Sequence, residues 1–349
     1  MNTSPRDQYR RFNESHNCAL VFHLGIDAGF FAEFTYMIHA MLYCAVKGYR
    51  FELYSKDTNF SSGKGWTEFF EPFCPEVDDT FHHRYNVHDI PGWREMTRRM
   101  LKEHRPMLLW WKTKTVAKAC LYDIMAFKRY GRRTLSTHNV NVPVSELYDI
   151  PELGLKGTYL EAFAYMTRVV WHFNPHASSA VAHLLEGLAL PPHYAGTQVR
   201  GGDKVTEVAL RPVALTVQAL RKATSLSDVL VLSDDYSLLE QLRHEAPELR
   251  FHSLCQSTEN GYINKAFTHS NPSQKHARML RFLAQVDALM HADLFVGSIT
   301  NGPSLFLLKT MGKRGLALDC AEADFPHVCH LPIAERGRAA EKFMHSRKD

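Results

Sequence analysis

At 349 residues the chain is longer than one hydrophobic core usually serves, so two domains are expected. A hydrophobic fraction of 45% beside 22% charged residues excludes a disordered chain. A net charge of +4, with no Arg/Lys stripe interleaved with aromatics, argues against nucleic acid and suits an anionic small ligand or an anionic membrane surface.

The apolar run Cys18–Leu24 is followed by a Gly25-to-Gly29 loop and then by Phe30–Lys47, whose Phe34, Met37, Ile38, Met41 and Leu42 recur at helical spacing. Arg50–Ser55 alternates as a strand does, so the chain opens strand, loop, helix, strand, the start of an open α/β sheet. Ser61–Gly65 reads as a flexible loop, Trp66–Phe73 as an aromatic helix and Pro106–Trp111 as a strand. Helices are expected over Thr115–Arg132, Tyr159–Phe173 and Ala177–Leu190, with Asn174-Pro175 breaking the second from the third. Pro191-Pro192-His193 reads as a linker, which divides the chain into an N-terminal α/β lobe (1–190) and a C-terminal Rossmann-like lobe (191–349).

The second half alternates cleanly. Strands are expected at Gly196–Arg200, Val229–Leu232, Leu249–Ser253, Asp293–Gly297 and Gly315–Leu318. Helices separate them at Pro212–Ala223, Tyr236–His244, Ser273–His291 and Pro303–Met311. That rhythm predicts a doubly wound parallel sheet. A last helix, Ile333–His345, is placed to cross back to the first lobe.

The seven cysteines are odd in number, lack a CxxC pair and mostly sit in apolar runs, which reads as reduced thiols of a cytosolic protein. Met1–His16 is polar and has no segment of signal-peptide kind, and no stretch of about 18 apolar residues occurs anywhere. A cytoplasmic location follows as the expectation, with peripheral contact at the inner face of a membrane as an option. His82, His83 and His88 lack Cys or carboxylate partners at metal-ligand spacing, so no metal site is expected there. Trp66, Trp110 and Trp111 read as core, or as a sugar platform in the first lobe; Lys112 and Lys114 read as a solvated face.

In a doubly wound sheet ligands lie at the C-terminal strand edge. Three segments fall there: Val199–Glu207, Ser233-Asp234-Asp235, and Gly297–Gly302. Arg200 at a strand end suits bidentate phosphate contact, unless it only pairs with Asp203. Gly201 and Gly202 would let the backbone approach a ligand, and Ser298, Thr300, Asn301 and Gly302 open a helix whose amides favour an anion. Together these suit a pyrophosphate. The GxGxxG and GxxxxGK[ST] patterns are absent, which argues against a dinucleotide site and a P-loop.

Val199-Arg-Gly-Gly-Asp-Lys-Val-Thr-Glu207, Leu232-Ser-Asp-Asp-Tyr-Ser-Leu-Leu239 and Ala292-Asp-Leu-Phe-Val-Gly-Ser-Ile-Thr-Asn301 resemble, in order and spacing, the α-1,6-fucosyltransferase family and its relatives. These are inverting glycosyltransferases of two-lobed, GT-B-like fold. The resemblance extends over Gly196–Gly312 and is patchy over Cys18–Phe60, where Gly25 and Gly29 match the family's Gly-rich donor loop. Gly201 stands where the family has a second arginine, and the glutamate comes one residue early.

The resemblance implies a GDP-fucose donor, inversion at the anomeric carbon and a glycan, glycolipid or glycoprotein acceptor. No cofactor and no metal ion are implied, and the sequence has no DxD motif. Glu207 is then the first choice of catalytic base and Asp203 the second, with Lys204 on phosphate or orienting Glu207. Asp234 and Asp287 are equal candidates for the guanine, Asp234 having helix capping and Asp287 a plain surface position as their bland alternatives. Asn260–His269 is either a mobile loop over the donor or an ordinary surface loop. Two other functions compete: transfer of another sugar, mannosyl or heptosyl in type, and a non-catalytic nucleotide-sugar-binding protein.

Overall fold

The computed structural model describes residues 4–25, 29–85, 97, 100–101, 107–130, 134–136, 144–202 and 210–346. The chain divides into two compact units, one formed by Met1–Gly157 with Arg168–His172, the other by Thr158–Thr167 with Phe173–Asp349. Each contains a parallel sheet between helices, as the α/β expectation requires.

In the first unit, β1 (Ala19–His23) lies between β2 (Arg50–Tyr54) and β3 (Thr134–Ser136), both parallel to it. The helix Phe30–Lys47 runs between Gly29 and a left-handed Gly48 and buries the apolar stripe read from its sequence. β2 is buried nearly throughout rather than on alternate faces; its Glu52 is held by the Arg50 guanidinium at 2.6 Å. A small two-stranded sheet, β4 (Leu147–Ile150) with β5 (Leu155–Thr158), has no counterpart in the sequence reading.

Four expectations in this unit are corrected. Of the segment expected as a strand, the described residues Met107–Trp111 are helical: Met107–Tyr130 is one helix, and no Gly or Pro interrupts that span. The aromatic helix is only a short 3-10 turn, Gly65–Glu68, with Pro72 close behind, and Trp66 stacks on Phe70 at 4.3 Å between centroids. The loop before it is built, not loose. Ser61 Oγ accepts the Gly63 and Gly65 amides, and the Glu68 carboxylate accepts the Ser62 amide and hydroxyl. Trp66 is core, but Trp110 and Trp111 are exposed, which removes them from the core reading.

In the second unit five parallel strands run in the order β10-β9-β6-β7-β8: Gly315–Ala317, Leu294–Gly297, Ala195–Val199, Asp228–Ser233 and Arg250–His252. The period of two along β6 sorts its faces. Ala195 and Val199 join a core with Val213, Val217, Leu239 and Leu242, from the helices Val213–Ala223 and Tyr236–Glu245. On the other face, a Cβ at Gly196 would lie 2.4 Å from Leu289, so glycine there lets the helix Pro272–His291 close on the sheet. Gln198 meets Ser304 of the helix Gly302–Met311 on the same side.

The boundary expected after Leu190 lies inside the second unit. The helix Pro175–Glu186, capped by Asn174 accepting the Ala177 amide at 2.8 Å, packs along Pro272–His291 of that unit. The final helix, Ile333–His345, also belongs there, with Arg336 donating to the Ile299 carbonyl at 3.1 Å.

Candidate functional site

Winding proceeds from β6 through β7 to β8 in one direction and from β9 to β10 in the other. β6 and β9 therefore flank the switch point, where the loops leaving their C-terminal ends diverge and leave a crevice. Gln198, Arg200, Arg211, Thr300, Asn301 and Leu318 are among the residues that line it. Two guanidiniums thus face one cleft at the mouth of the helix Gly302–Met311.

The far wall is organised by Asp319, the second residue past β10 and fully buried. One of its carboxylate oxygens accepts Arg211 Nε at 2.9 Å and Ser298 Oγ at 2.6 Å; the other accepts the Ile299 amide at 2.9 Å. Ser298 Oγ in turn lies 2.7 Å from Thr300 Oγ1 and accepts the Thr300 amide. A buried carboxylate is tolerated when several donors answer it, and here they fix the loop as a rigid piece. Asn301 caps the next helix without a side-chain hydrogen bond. It is 8% exposed, and its Oδ1 has no hydrogen-bond partner among the described residues. At that helix mouth Pro303 has no amide hydrogen and the Ser304 amide is taken by Gln198, which leaves the Gly302 amide foremost.

On the near wall Arg200 leaves the end of β6 with its Nε 3.4 Å from Asp234 Oδ2 and its guanidinium 5.6 Å from the Tyr262 ring. Asp234 is a staple for this wall. Its Oδ1 accepts the Gly201 amide at 2.8 Å and its Oδ2 accepts the Tyr262 amide at 3.1 Å. Helix capping, the bland role weighed for Asp234, falls instead to Asp235, which accepts the Ser237 amide. The two glycines after Arg200 make room for protein rather than for a ligand. A Cβ at Gly201 would meet Asp235 at 2.7 Å, and Gly202, at φ +65°, lies against Gly261 and the Tyr262 backbone. The Asn260-to-His269 stretch is thereby tied to the arginine loop, and it contains the short helix Asn264–Thr268.

The structure brings Arg200, Gly201 and Asp234 together on one wall and Ser298, Thr300, Asn301 and Gly302 on the other. Asp203, Lys204 and Glu207 lie outside the described residues. Asp287 does not join them: it sits one turn before the end of Pro272–His291, at the N-terminal edge of the strands, close to Tyr194, whose pKa is raised first by burial and then by the Asp287 charge. This excludes it as a contact to a ligand in the crevice. Gly25 and Gly29 belong to the first unit, after β1. Gly25, at φ +111°, donates to Glu33 Oε2 at 2.6 Å and has Asp57 where a Cβ would stand. Arg211, Asp319 and Gln198 escaped the sequence reading. The available signal was their position, since Arg211 ends the loop that leaves β6 and Asp319 follows a strand end.

Among the described residues no group of three or more His, Cys, Asp or Glu is placed to hold a metal ion. No described helix is long and apolar enough to cross a membrane. All seven cysteines are free thiols.

No protein-family model matches the chain, and no curated protein matches it. Among solved structures it is similar to the NodZ α-1,6-fucosyltransferase soaked with GDP-fucose: 13% identity, TM-score 0.48, 84% of this chain and 93% of that one. It is similar to Arabidopsis thaliana FUT1, solved as a mutant in complex with GDP: 13% identity, TM-score 0.46, 88% of this chain and 74% of that one. POFUT1 in complex with GDP-fucose is a third: 11% identity, TM-score 0.43, 90% of this chain and 99% of that one.

Proposed function

We propose that this chain is an inverting glycosyltransferase that takes its sugar from a nucleoside diphosphate donor, GDP-fucose being the first choice, and passes it to a glycan hydroxyl without a metal ion. One observation carries the reading: Arg200 and Arg211 line a single crevice at the switch point, beside Thr300 and the mouth of a helix. The crevice offers two cations, an amide and a polar side chain, with its own carboxylates, Asp234 and Asp319, engaged in fixing the walls. That chemistry suits a diphosphate. The match of Val199–Glu207, Leu232–Leu239 and Ala292–Asn301 to the fucosyltransferase pattern supports the choice of sugar.

In such a reaction the acceptor oxygen attacks the anomeric carbon as the bond to the β-phosphate breaks, and the diphosphate gains negative charge. Donors already in place stabilise that charge by roughly 3 to 4 kcal/mol each. Arg200, Arg211 and the Gly302 amide fill this role, which a metal ion fills elsewhere. The acceptor proton goes to a carboxylate. Glu207 is the first choice and Asp203 the second, with Lys204 orienting the base or touching phosphate.

The test is thermal stabilisation by GDP, UDP, CDP, ADP and GDP-fucose, side by side and free of metal. A ligand at about 100 times its dissociation constant adds roughly 2.7 kcal/mol. Stabilisation by GDP and GDP-fucose alone supports the full reading. A preference for UDP keeps a glycosyltransferase and overturns the fucosyl donor, and no response to any nucleotide overturns the reading as a whole.

A further inference from the structure

We infer that the helix Met107–Tyr130 docks the protein on an anionic lipid bilayer. A helix that packs on a protein core needs one apolar face, and this one has two. Tyr122 and Ala126 are fully buried and, with Tyr130, pack against Phe81. On the side away from them Trp110, Leu121, Ile124 and Phe127 are between 50% and 66% exposed, and Leu109 is exposed beside them. At 3.6 residues per turn these five residues fall within about 120° of arc, roughly opposite the buried face.

The charge identifies the occupant. The helix carries five Lys or Arg against a single Asp. Arg129 is paired with Asp79 at 2.5 Å, whereas Lys114 and Lys128 are exposed along the outer apolar stripe, Lys114 Nζ standing 5.3 Å from the Trp110 ring centroid. Lysine stems can lie along apolar surface while their ammonium groups reach phosphate. A second copy of the chain would bring cations to cations, but a sheet of lipid phosphates neutralises them. The helix is not apolar enough to span a bilayer, and a tryptophan beside lysines over an exposed apolar stripe is the composition of a helix that lies in the interface. The inference is independent of the donor reading, because none of these residues belongs to the crevice.

The test is cosedimentation of the full chain with vesicles of phosphatidylcholine alone and of phosphatidylcholine mixed three to one with phosphatidylglycerol, in parallel with tryptophan emission. The chain is expected to bind the mixed vesicles at least about ten-fold more tightly than the neutral ones and to shift its emission to the blue. Trp110→Ser with Ile124→Ser and Phe127→Ser should abolish binding. Lys114→Ala with Lys128→Ala, which leaves the apolar stripe intact, should weaken it about thirty-fold. Three results would overturn the inference: wild-type protein that stays in the supernatant, serine variants that bind as well as wild type, or a wild-type dimer that dissociates on serine substitution and never binds vesicles.

Discussion

Arg211 donates through Nε to Asp319 at 2.9 Å, and the same carboxylate oxygen accepts the Ser298 hydroxyl at 2.6 Å. One buried anion therefore aims a cation into the crevice and shapes the loop opposite Arg200. The two roles separate by mutation. Arg211→Ala should weaken diphosphate binding by about 1.5 to 3 kcal/mol, the worth of a hydrogen bond to a charged group. It should weaken monophosphate binding less. Asp319→Asn leaves Arg211 without its charge partner and should lower stability by about 3 kcal/mol. Calorimetric titration with GDP and GMP, beside melting curves, separates the effects; equal losses for both nucleotides would remove Arg211 from the diphosphate.

Arg200 and Glu207 divide binding from turnover. Arg200→Ala should abolish transfer and weaken GDP binding together, because its guanidinium is already held at the cleft by Asp234 and Tyr262. Glu207→Gln keeps the shape and removes the base, so it should bind GDP normally and turn over at least about 100-fold more slowly. A glutamine variant with wild-type turnover would shift the base to Asp203. Transfer should also persist in EDTA, and activity lost there and restored by manganese would overturn the metal-free mechanism.

Much of the second unit was legible because β7 and β9 are buried, mostly apolar runs, and the helices Val213–Ala223 and Pro272–His291 that precede them start at Pro or Asn. The crevice was legible too, since Arg200 and the Ser298–Asn301 loop sit at strand ends. What was hidden depends on tertiary partners. Asp234 looked like a ligand contact or a cap because nothing in the sequence shows that the Gly201 and Tyr262 amides converge on it. Asp287 looked equivalent, but its place near the end of a long helix carries it to the opposite strand edge. Arg211 and Asp319 are 108 residues apart, and only the closed sheet joins them. In Met107–Tyr130 a second apolar face obscured the helical period, so its first turn read as a strand.

His82 makes the first unit sensitive to acid. It is fully buried, with Nε2 2.8 Å from Tyr130 Oη and Nδ1 3.2 Å from His23 Nε2. Burial pushes its pKa down to about 4, against a smaller upward pull from Asp79. The folded form thus holds a neutral imidazole where the unfolded chain takes up a proton near pH 6.5. The contribution is complete above about pH 6.5 and is lost as pH falls toward about 4, by no more than roughly 3 kcal/mol. Urea midpoints measured across that window should fall for wild type and change less for His82→Gln. An unchanged slope in the variant would assign the acid sensitivity to other groups.

Lys309 works in the same direction at higher pH. Its Nζ is buried, donates to Tyr159 Oη at 2.9 Å and lies 4.9 Å from the Phe163 ring centroid. Burial lowers its pKa to about 7, with Cys329 pulling it up and Arg336 pushing it further down. Because the folded pKa lies below that of the unfolded chain, the stability contribution is full above about pH 10 and declines as pH falls through 7. Lys309→Met keeps the volume and removes an ammonium that burial disfavours. It should raise stability by about 1 to 4 kcal/mol near pH 6, where the wild-type lysine is charged. The gain should shrink by pH 9, where the wild-type amine is neutral and the variant has only lost a hydrogen bond to Tyr159. Melting curves at the two pH values read this directly. A variant less stable than wild type at both would mean that the Tyr159 hydroxyl, left without this donor inside the core, costs more than the buried charge.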